Sequence, residues 1–357
     1  MSIKWMFLRR FSMDRYLRIM QQPHGFRHGD ASSVCKLKKS LYGLKPAPRI
    51  WVLSVQKGVL FVPSKVGVLI CVYADDITIA ASSMILMQKV KAQLASRFTM
   101  KDLGDVHYLL KMEIKSDRTN KILSMSHNKY IMNLLQKFEM TECSSEPTPQ
   151  AKRIRGTRPD IANAVRELSK FLSCYNKSHY KAAQRVLKYL KGTSTYGLIF
   201  DGKSKEVIYE LYTDASFRCH DGGRTSVTGY VSIMADACIT WKSSRQSTMS
   251  IHTAQAELIA ASEGIKESEW LWVLLEELGY KQTQPMVCWC DNKGAISIIK
   301  DPANHTSTKH IDIKGLYARE IHDKGRIVVS YCNTNDMIAD ALTKALPRHR
   351  STSDKRH

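Results

Sequence analysis

From Val207 onward the chain reads as three consecutive strand patterns, roughly 207–214, 227–234 and 237–242, and then alternates helix with strand. The alternation runs as a long helix 253–278, a strand 286–290, a short helix 292–300, a helix about 308–322, a strand 326–332 and a last helix 336–345. Strands that follow one another directly predict antiparallel hairpins, whereas strands separated by helices predict parallel crossovers. A single mixed β-sheet flanked by helices satisfies both patterns, which places this part of the chain among the α+β or α/β folds.

Four acidic residues stand at the edges of that pattern. Asp214 closes the apolar segment Ile208–Thr213, Glu257 falls in the first turn of the long helix, Asp291 closes MVCWC, and Asp340 lies between Ala339 and Ala341 on the last helix. Strand ends and helix starts converge at one edge of such a sheet. Carboxylates meeting there repel one another unless they share cations, and an oxygen-rich set suits Mg²⁺ or Mn²⁺. Two such ions about 3.5–4 Å apart activate water and stabilise the leaving oxygen in phosphodiester cleavage. Each acid also has a plainer use: Asp291 before Asn292 could cap helix 292–300, and Glu257 could favour a helix dipole.

The first part of the chain differs in charge. Residues 1–200 carry 34 basic and 13 acidic side chains and residues 201–357 carry 20 of each, so the whole formal charge of +21 lies in the first part. At 43% hydrophobic and 24% charged the chain has the composition of a folded protein, so the excess implies a polyanionic partner such as nucleic acid. In VCKLKKSLYGLKPAPRIW, Lys36, Lys38, Lys39, Lys45 and Arg49 are interleaved with Leu37, Leu41, Tyr42 and Leu44. The run GVLICVYADDITIAAS predicts a hairpin of two buried strands with Asp75 and Asp76 at its tip, where a cation would offset their desolvation.

Helical spacing follows over Ser83–Phe98 (Ile85, Val90, Leu94) and over His127–Phe138, with Tyr130, Leu134, Leu135 and Phe138 on the apolar side. Pro147, Pro149, Gly156 and the basic residues Lys152, Arg153 and Arg155 in 144–156 mark a boundary, and amphipathic helices Pro159–Ser173 and His179–Leu190 come next. Residues 1–30 show no clear periodicity. The expected organisation is 1–145, a helical connection over 146–205, the mixed-sheet domain over 206–346 and a basic tail over 347–357.

Several classes are excluded. The longest uncharged apolar run, Val66–Ala74, falls far short of the roughly 18–20 residues of a membrane span, so no membrane partner is expected. Met1–Arg10 lacks the apolar core and small-residue cleavage site of a secretory signal. Nine cysteines without a Cys-x-x-Cys pair predict reduced thiols of an intracellular protein, cytoplasmic or nuclear, rather than a zinc site; Cys288 and Cys290 should share one strand face.

The segments YTDASF (212–217), GGRTSVTGY (222–230), ITWKSSRQSTMSIHTAQAELIAASEGIKESEWL (239–271), CDNKGAI (290–296), STKHIDI (307–313) and NTNDMIADALTKAL (333–346) resemble, in order and spacing, the ribonuclease H domain of copia-type retrotransposon Pol polyproteins. The resemblance implies Asp214, Glu257, Asp291 and Asp340 as a metal-binding catalytic quartet, two Mg²⁺ or Mn²⁺ ions, and hydrolysis of the RNA strand of RNA–DNA hybrids. Arg245 and Lys309 are candidate phosphate contacts, with solvated faces as the alternative, and His310 in the Lys-His-Ile-Asp segment is an auxiliary candidate, with a structural role as the alternative. Gln255 stands where the family has Glu.

The Tyr73–Asp76 hairpin, KLKKSLYGLKPAPRIW, RFTMKDLGDVHYLLKMEI (97–114) and TRPDIANAVRELSKFLS (157–173) resemble the reverse transcriptase and connection of the same polyproteins. The implied fold is a palm–thumb remnant, with Asp75 the stronger metal ligand and Asp76 its support. The family motif Gln-Gln-Pro-x-Gly-Phe, here QQPHGF (21–26), stands almost at the start, so the palm strand supplying a further carboxylate is expected to be missing. Lys111 and Met112 also replace the expected Leu-Gly step. The chain is therefore expected to be a Pol fragment with ribonuclease H activity and no DNA synthesis, with other Pol segments among its candidate partners; a catalytically inactive nucleic-acid-binding remnant or pseudogene product is the alternative.

Overall fold

The computed structural model describes residues 2–7, 19–21, 34–36, 67–73, 76–148, 157–203, 209–217, 225–234, 236–250, 252–301 and 313–344. The chain forms two compact units, Met1–Val106 with Glu277–Tyr280, and His107–Glu276 with Lys281–His357.

In the first unit the described elements are β1 (Ser2–Phe7), β2 (Ile19–Gln21), β3 (Val34–Lys36), β4 (Val68–Tyr73), β5 (Asp76–Ala81), α1 (Met84–Arg97) and β6 (Met100–Asp105). β4 and β5 form the expected antiparallel hairpin, with Tyr73 opposite Asp76. Alternation along β5 buries Ile77, Ile79 and Ala81 against Met87, Val90 and Leu94 of α1, whose spacing is helical. Ser83 caps α1 by accepting the Leu86 N–H at 3.3 Å.

Residues 1–30 show no clear periodicity, yet β1 lies between β5 and β6 in the order β4-β5-β1-β6. β1 is antiparallel to both neighbours, and its Met6 faces Asp76. SIKWMF is a single short strand with no strict alternation, so its place in the sheet comes from backbone pairing that periodicity does not register. It carries no Asp or Glu.

The second unit begins with β7 (Tyr108–Leu109), β8 (Met112–Asp117), β9 (Ile122–Ser126) and α2 (Asn128–Lys137), then a 3₁₀ turn Pro159–Ile161, α3 (Ala162–Ser169), α4 (Lys177–Gly192) and β10 (Gly197–Asp201). The strands form an antiparallel sheet, β10-β9-β8-β7. The helices pack together through Ile131, Leu135, Ile161, Leu168, Val186, Tyr189 and Leu190. Phe138 is exposed rather than on the buried side, because α2 stops at Lys137 and the chain turns at Glu139, which has a positive φ of 55°. The helix expected over 159–173 is likewise a 3₁₀ turn plus α3, ending at Ser169.

A buried cation pins this turn. Arg158, 1% exposed, donates to both carboxylate oxygens of Asp160 (3.0 and 2.8 Å) and to the carbonyl and hydroxyl of Thr193 (2.9 and 2.7 Å). Tyr189 donates its hydroxyl to Asp160 at 2.6 Å. A guanidinium out of water persists only when its N–H groups are matched in this way.

The remaining elements are β11 (Tyr209–Ser216), β12 (Val227–Met234), β13 (Ala237–Arg245), α5 (Thr253–Glu277), β14 (Met286–Cys290), α6 (Lys293–Lys300), α7 (Ile313–Asp323), β15 (Ile327–Tyr331) and α8 (Asp340–Thr343). The sheet order is β13-β12-β11-β14-β15. β13, β12 and β11 are antiparallel, and β11, β14 and β15 are parallel, as strand runs followed by helix–strand alternation require. This is the expected ribonuclease H-like mixed sheet. Its main core joins Leu211, Tyr230, Cys288 and Val329 to Leu258, Ala261 and Ile265 of α5. Cys288 and Cys290 share the buried face of β14.

The last helix is four residues long rather than spanning 336–345. Asn333 starts a turn instead: its side chain accepts the Asn335 N–H and its carbonyl the Asp336 N–H, both at 2.9 Å. Among the described residues no helix is long and apolar enough to cross a membrane.

The β7–β8 hairpin turns through Leu110 and Lys111, with φ of 51° and 67°. Both positions demand the left-handed region, which costs a non-glycine residue roughly 1–2 kcal/mol. Lys111→Gly is expected to raise the unfolding free energy by about 1 kcal/mol in urea titrations; an unchanged or lower midpoint would show that the turn is unstrained.

Candidate active site

The parallel pairing of β11 with β14 brings Thr213 opposite Cys290, so Asp214 and Asp291, the next residues on each chain, emerge at the same end of neighbouring strands. Across the antiparallel pair, Asp214 faces Gly229 of β12. A Cβ on Gly229 would lie 2.5 Å from the Thr343 methyl, 3.0 Å from Leu342 Cβ and 3.1 Å from the Ala339 carbonyl. The absent side chain therefore lets α8, which begins with Asp340, settle on the sheet beside Asp214.

Asp214, Asp340 and Glu257 are almost wholly buried, at 1%, 3% and 6% exposure. Lys344 joins the first two, with Nζ 3.3 Å from Asp214 Oδ1 and 2.6 Å from Asp340 Oδ1. The Thr343 hydroxyl donates to the other Asp214 oxygen. Burial pushes the Asp214 carboxyl up to about 6; Lys344 and Thr343 oppose the rise, and Asp340 and Asp291 add to it. Glu257 is driven well above the usual carboxylate range by burial and then by Asp214 and Asp291. Burial works against the Lys344 charge, but Asp214 and Asp340 outweigh it and raise its pKa.

Asp291 is half-buried and accepts a hydrogen bond from the Thr334 hydroxyl at 3.0 Å. It does not cap the following helix. Asn292 does, accepting the Ala295 N–H at 3.0 Å, which frees Asp291 for other work. Glu257 is the fifth residue of α5, beyond the first turn where it was expected. The buried Gln246 holds the start of α5 in place, donating to the Ala256 carbonyl at 2.8 Å and to Thr228 at 3.2 Å.

Glu257, Cys290 and Asp291 offer ligand atoms within 4.8 Å of one another. Burial, and next the Glu257 charge, raise the Cys290 thiol far above its ordinary value, and a hard divalent ion takes carboxylate oxygens in preference to sulfur. Glu257 Oε2 is buried without a hydrogen-bond partner. An orphaned carboxylate oxygen beside Asp214 and Asp291 suits a hard divalent cation.

All four acids expected from the sequence are thus part of one electrostatic cluster. Arg245 lies exposed at the end of β13. Asp76 starts β5, and Lys36 ends β3. Asp75, Lys38, Lys39, Lys45, Arg49, Lys309 and His310 lie outside the described residues. Thr343, Lys344, Thr334 and Gln246 were not expected. The one signal for Lys344 was its place four residues after Asp340, a spacing that also suits an ordinary helix ion pair.

A family model for reverse transcriptase (RNA-dependent DNA polymerase) matches residues 1–152. The retrovirus-related Pol polyprotein from transposon TNT 1-94 of Nicotiana tabacum is 34% identical, over 93% of this chain and 28% of that protein. That from transposon RE1 of Arabidopsis thaliana is 33% identical, over 92% of this chain and 25% of the relative. The chain belongs to the Pol polyproteins of copia-type transposons. It spans about a quarter of the length of these Pol relatives. Among solved structures, the foamy viral protease-reverse transcriptase in complex with an RNA/DNA hybrid covers 93% of this Pol chain and 44% of its own, with a TM-score of 0.52 at 13% identity. That likeness bears on the fold.

Because the Asp214 pKa is raised on folding, its protonated form favours the folded state below the ordinary carboxylate pKa, and this contribution is lost as pH rises through about 6. In EDTA, Asp214→Asn should therefore gain stability relative to wild type between pH 4 and pH 7, by on the order of 2 kcal/mol. A stability difference independent of pH over that range would refute the burial of this charge.

Proposed function

We propose that this Pol chain hydrolyses the RNA strand of RNA–DNA hybrids with two divalent ions, Mg²⁺ or Mn²⁺. The observation that carries the reading is the convergence of Asp214, Glu257, Asp291 and Asp340 from β11, α5, the end of β14 and α8, with one buried Glu257 oxygen unpartnered. When bound, such a pair of ions supplies an activated water and stabilises the leaving oxygen. Asp214 and Asp291 would hold the cations from adjacent strand ends. Glu257 and Asp340 would complete the oxygen set, and Thr334 donates a hydrogen bond that orients Asp291. Recognition rests on hybrid shape and the 2′-OH rather than on base identity. The RNA/DNA hybrid in the foamy viral relative supports that substrate class.

The polymerase reading is not favoured. β1 occupies the place beside the Asp76 hairpin and carries no carboxylate, so the second acid that phosphoryl transfer needs is missing from that strand.

The test is cleavage of a labelled hybrid. Wild type with Mg²⁺ is expected to cut the RNA strand, and Asp291→Asn to lose more than about 100-fold, the upper end of what an outer-shell partner costs. The same protein given primed template and nucleotides should incorporate none. An intact hybrid alongside salt-sensitive binding would replace the enzyme by the inactive binding remnant.

Among the described residues, α4 offers a grip for the hybrid. Lys177, Lys181, Arg185 and Lys188 recur at near-helical spacing, and Lys177–Gly192 contains no acidic residue. Such a stripe neutralises phosphates without reading sequence. With hybrid binding measured in EDTA, replacing Lys181, Arg185 and Lys188 by Gln should lower the log–log salt slope by about 2 to 3; an unchanged slope would mean that α4 faces only solvent.

A further inference from the structure

Both oxygens of Asp214 are taken by adjacent residues at the end of α8. Thr343 donates to Oδ2, and Lys344 donates to Oδ1 at 3.3 Å. The same ammonium donates to Asp340 at 2.6 Å. The two carboxylate side chains are 1% and 4% exposed, whereas Lys344 is 40% exposed. One partly exposed cation is therefore shared by two buried acids.

We propose that Lys344 is an internal counter-cation: it occupies Asp214 and Asp340 in the metal-free protein and gives them up when a divalent ion binds. The inference rests on the reading of these two acids as metal ligands. Two buried carboxylates side by side cannot both stay ionised without a positive charge between them, so the metal-free fold needs a substitute for the metal. A divalent ion held at about 2.0–2.1 Å by the same oxygens would meet the ammonium at close range, and like charges at that separation exclude one another. The exchange is therefore competitive. Lys344 is suited to it because its long stem can carry the charge outward into solvent, whereas Asp214 is buried on a central strand. Thr343 must turn its hydroxyl away in the same step, since it covers the second Asp214 oxygen.

The competition gives opposite signs in two measurements that need no substrate. Lys344→Met keeps the stem and removes the charge. In EDTA it should melt below wild type at pH 7, because Asp214 and Asp340 lose their cation. In Mn²⁺ titrations of the full chain, followed by the loss of the free-ion electron paramagnetic resonance signal, it should bind about tenfold more tightly, the factor corresponding to a lost competitor of about 1.4 kcal/mol. Lys344→Arg keeps the charge and should resemble wild type in both, which guards against a trivial folding defect. Unchanged or weaker Mn²⁺ binding by Lys344→Met, with normal binding by wild type, would overturn the proposal while leaving the two-metal reading intact. Absence of Mn²⁺ binding by all three proteins would sink both. An unaltered melting temperature in EDTA would show that the ammonium does not support the metal-free fold.

Discussion

Putting negative charge where water cannot reach is the constraint on which the second unit turns. Asp214 and Asp340 meet on the sheet with at most a few per cent of their surface exposed, and Glu257 joins them from α5. In isolation each would cost several kcal/mol to ionise there. The structure offsets that cost with one ammonium and one hydroxyl from consecutive residues, and it can do so only because α8 lies against β12 at a glycine. A methyl group at Gly229 would push away the residues that make the acids tolerable.

The helical connection contributes to the same end. Arg166 of α3 donates to the Ser243 hydroxyl of β13 at 3.0 Å, and Ser243 in turn donates to the Leu342 carbonyl of α8. A relay of side chains thus runs from the connection to the short helix that begins with Asp340. It gives a physical reason for the connection and the mixed sheet to form one compact unit. The Arg158–Asp160–Thr193 network fixes the other end of α3 in a similar way, by matching a buried charge completely rather than exposing it.

The legible parts of the site were those that break a pattern. Asp214 and Asp291 each close an apolar strand, and a carboxylate in that place stands out against alternation. The order of strands and helices from β11 to β15 was likewise legible, because antiparallel and parallel pairing need different connection lengths. β1 was not, since a lone six-residue strand has no repeat to recognise. The last helix was read too long because residues 336–339 make turns, with the Met337 carbonyl accepting the Asp340 N–H at 3.2 Å, that side-chain spacing does not distinguish from helix. Lys344 looked like any solvated lysine; its role depends on Asp214, 130 residues away in sequence.

By itself the sequence determined the family, the mixed-sheet architecture and the identities of four acids, because these follow from local periodicity and from ordered motifs. Only the tertiary structure decided which cation Asp214 and Asp340 share, which residue caps the helix after Asp291, and how deeply Asp214, Glu257 and Asp340 are buried. Desolvation and charge coupling are properties of the space between elements. They arise once β11, β12, α5 and α8 have packed together, and no window along the chain contains all four.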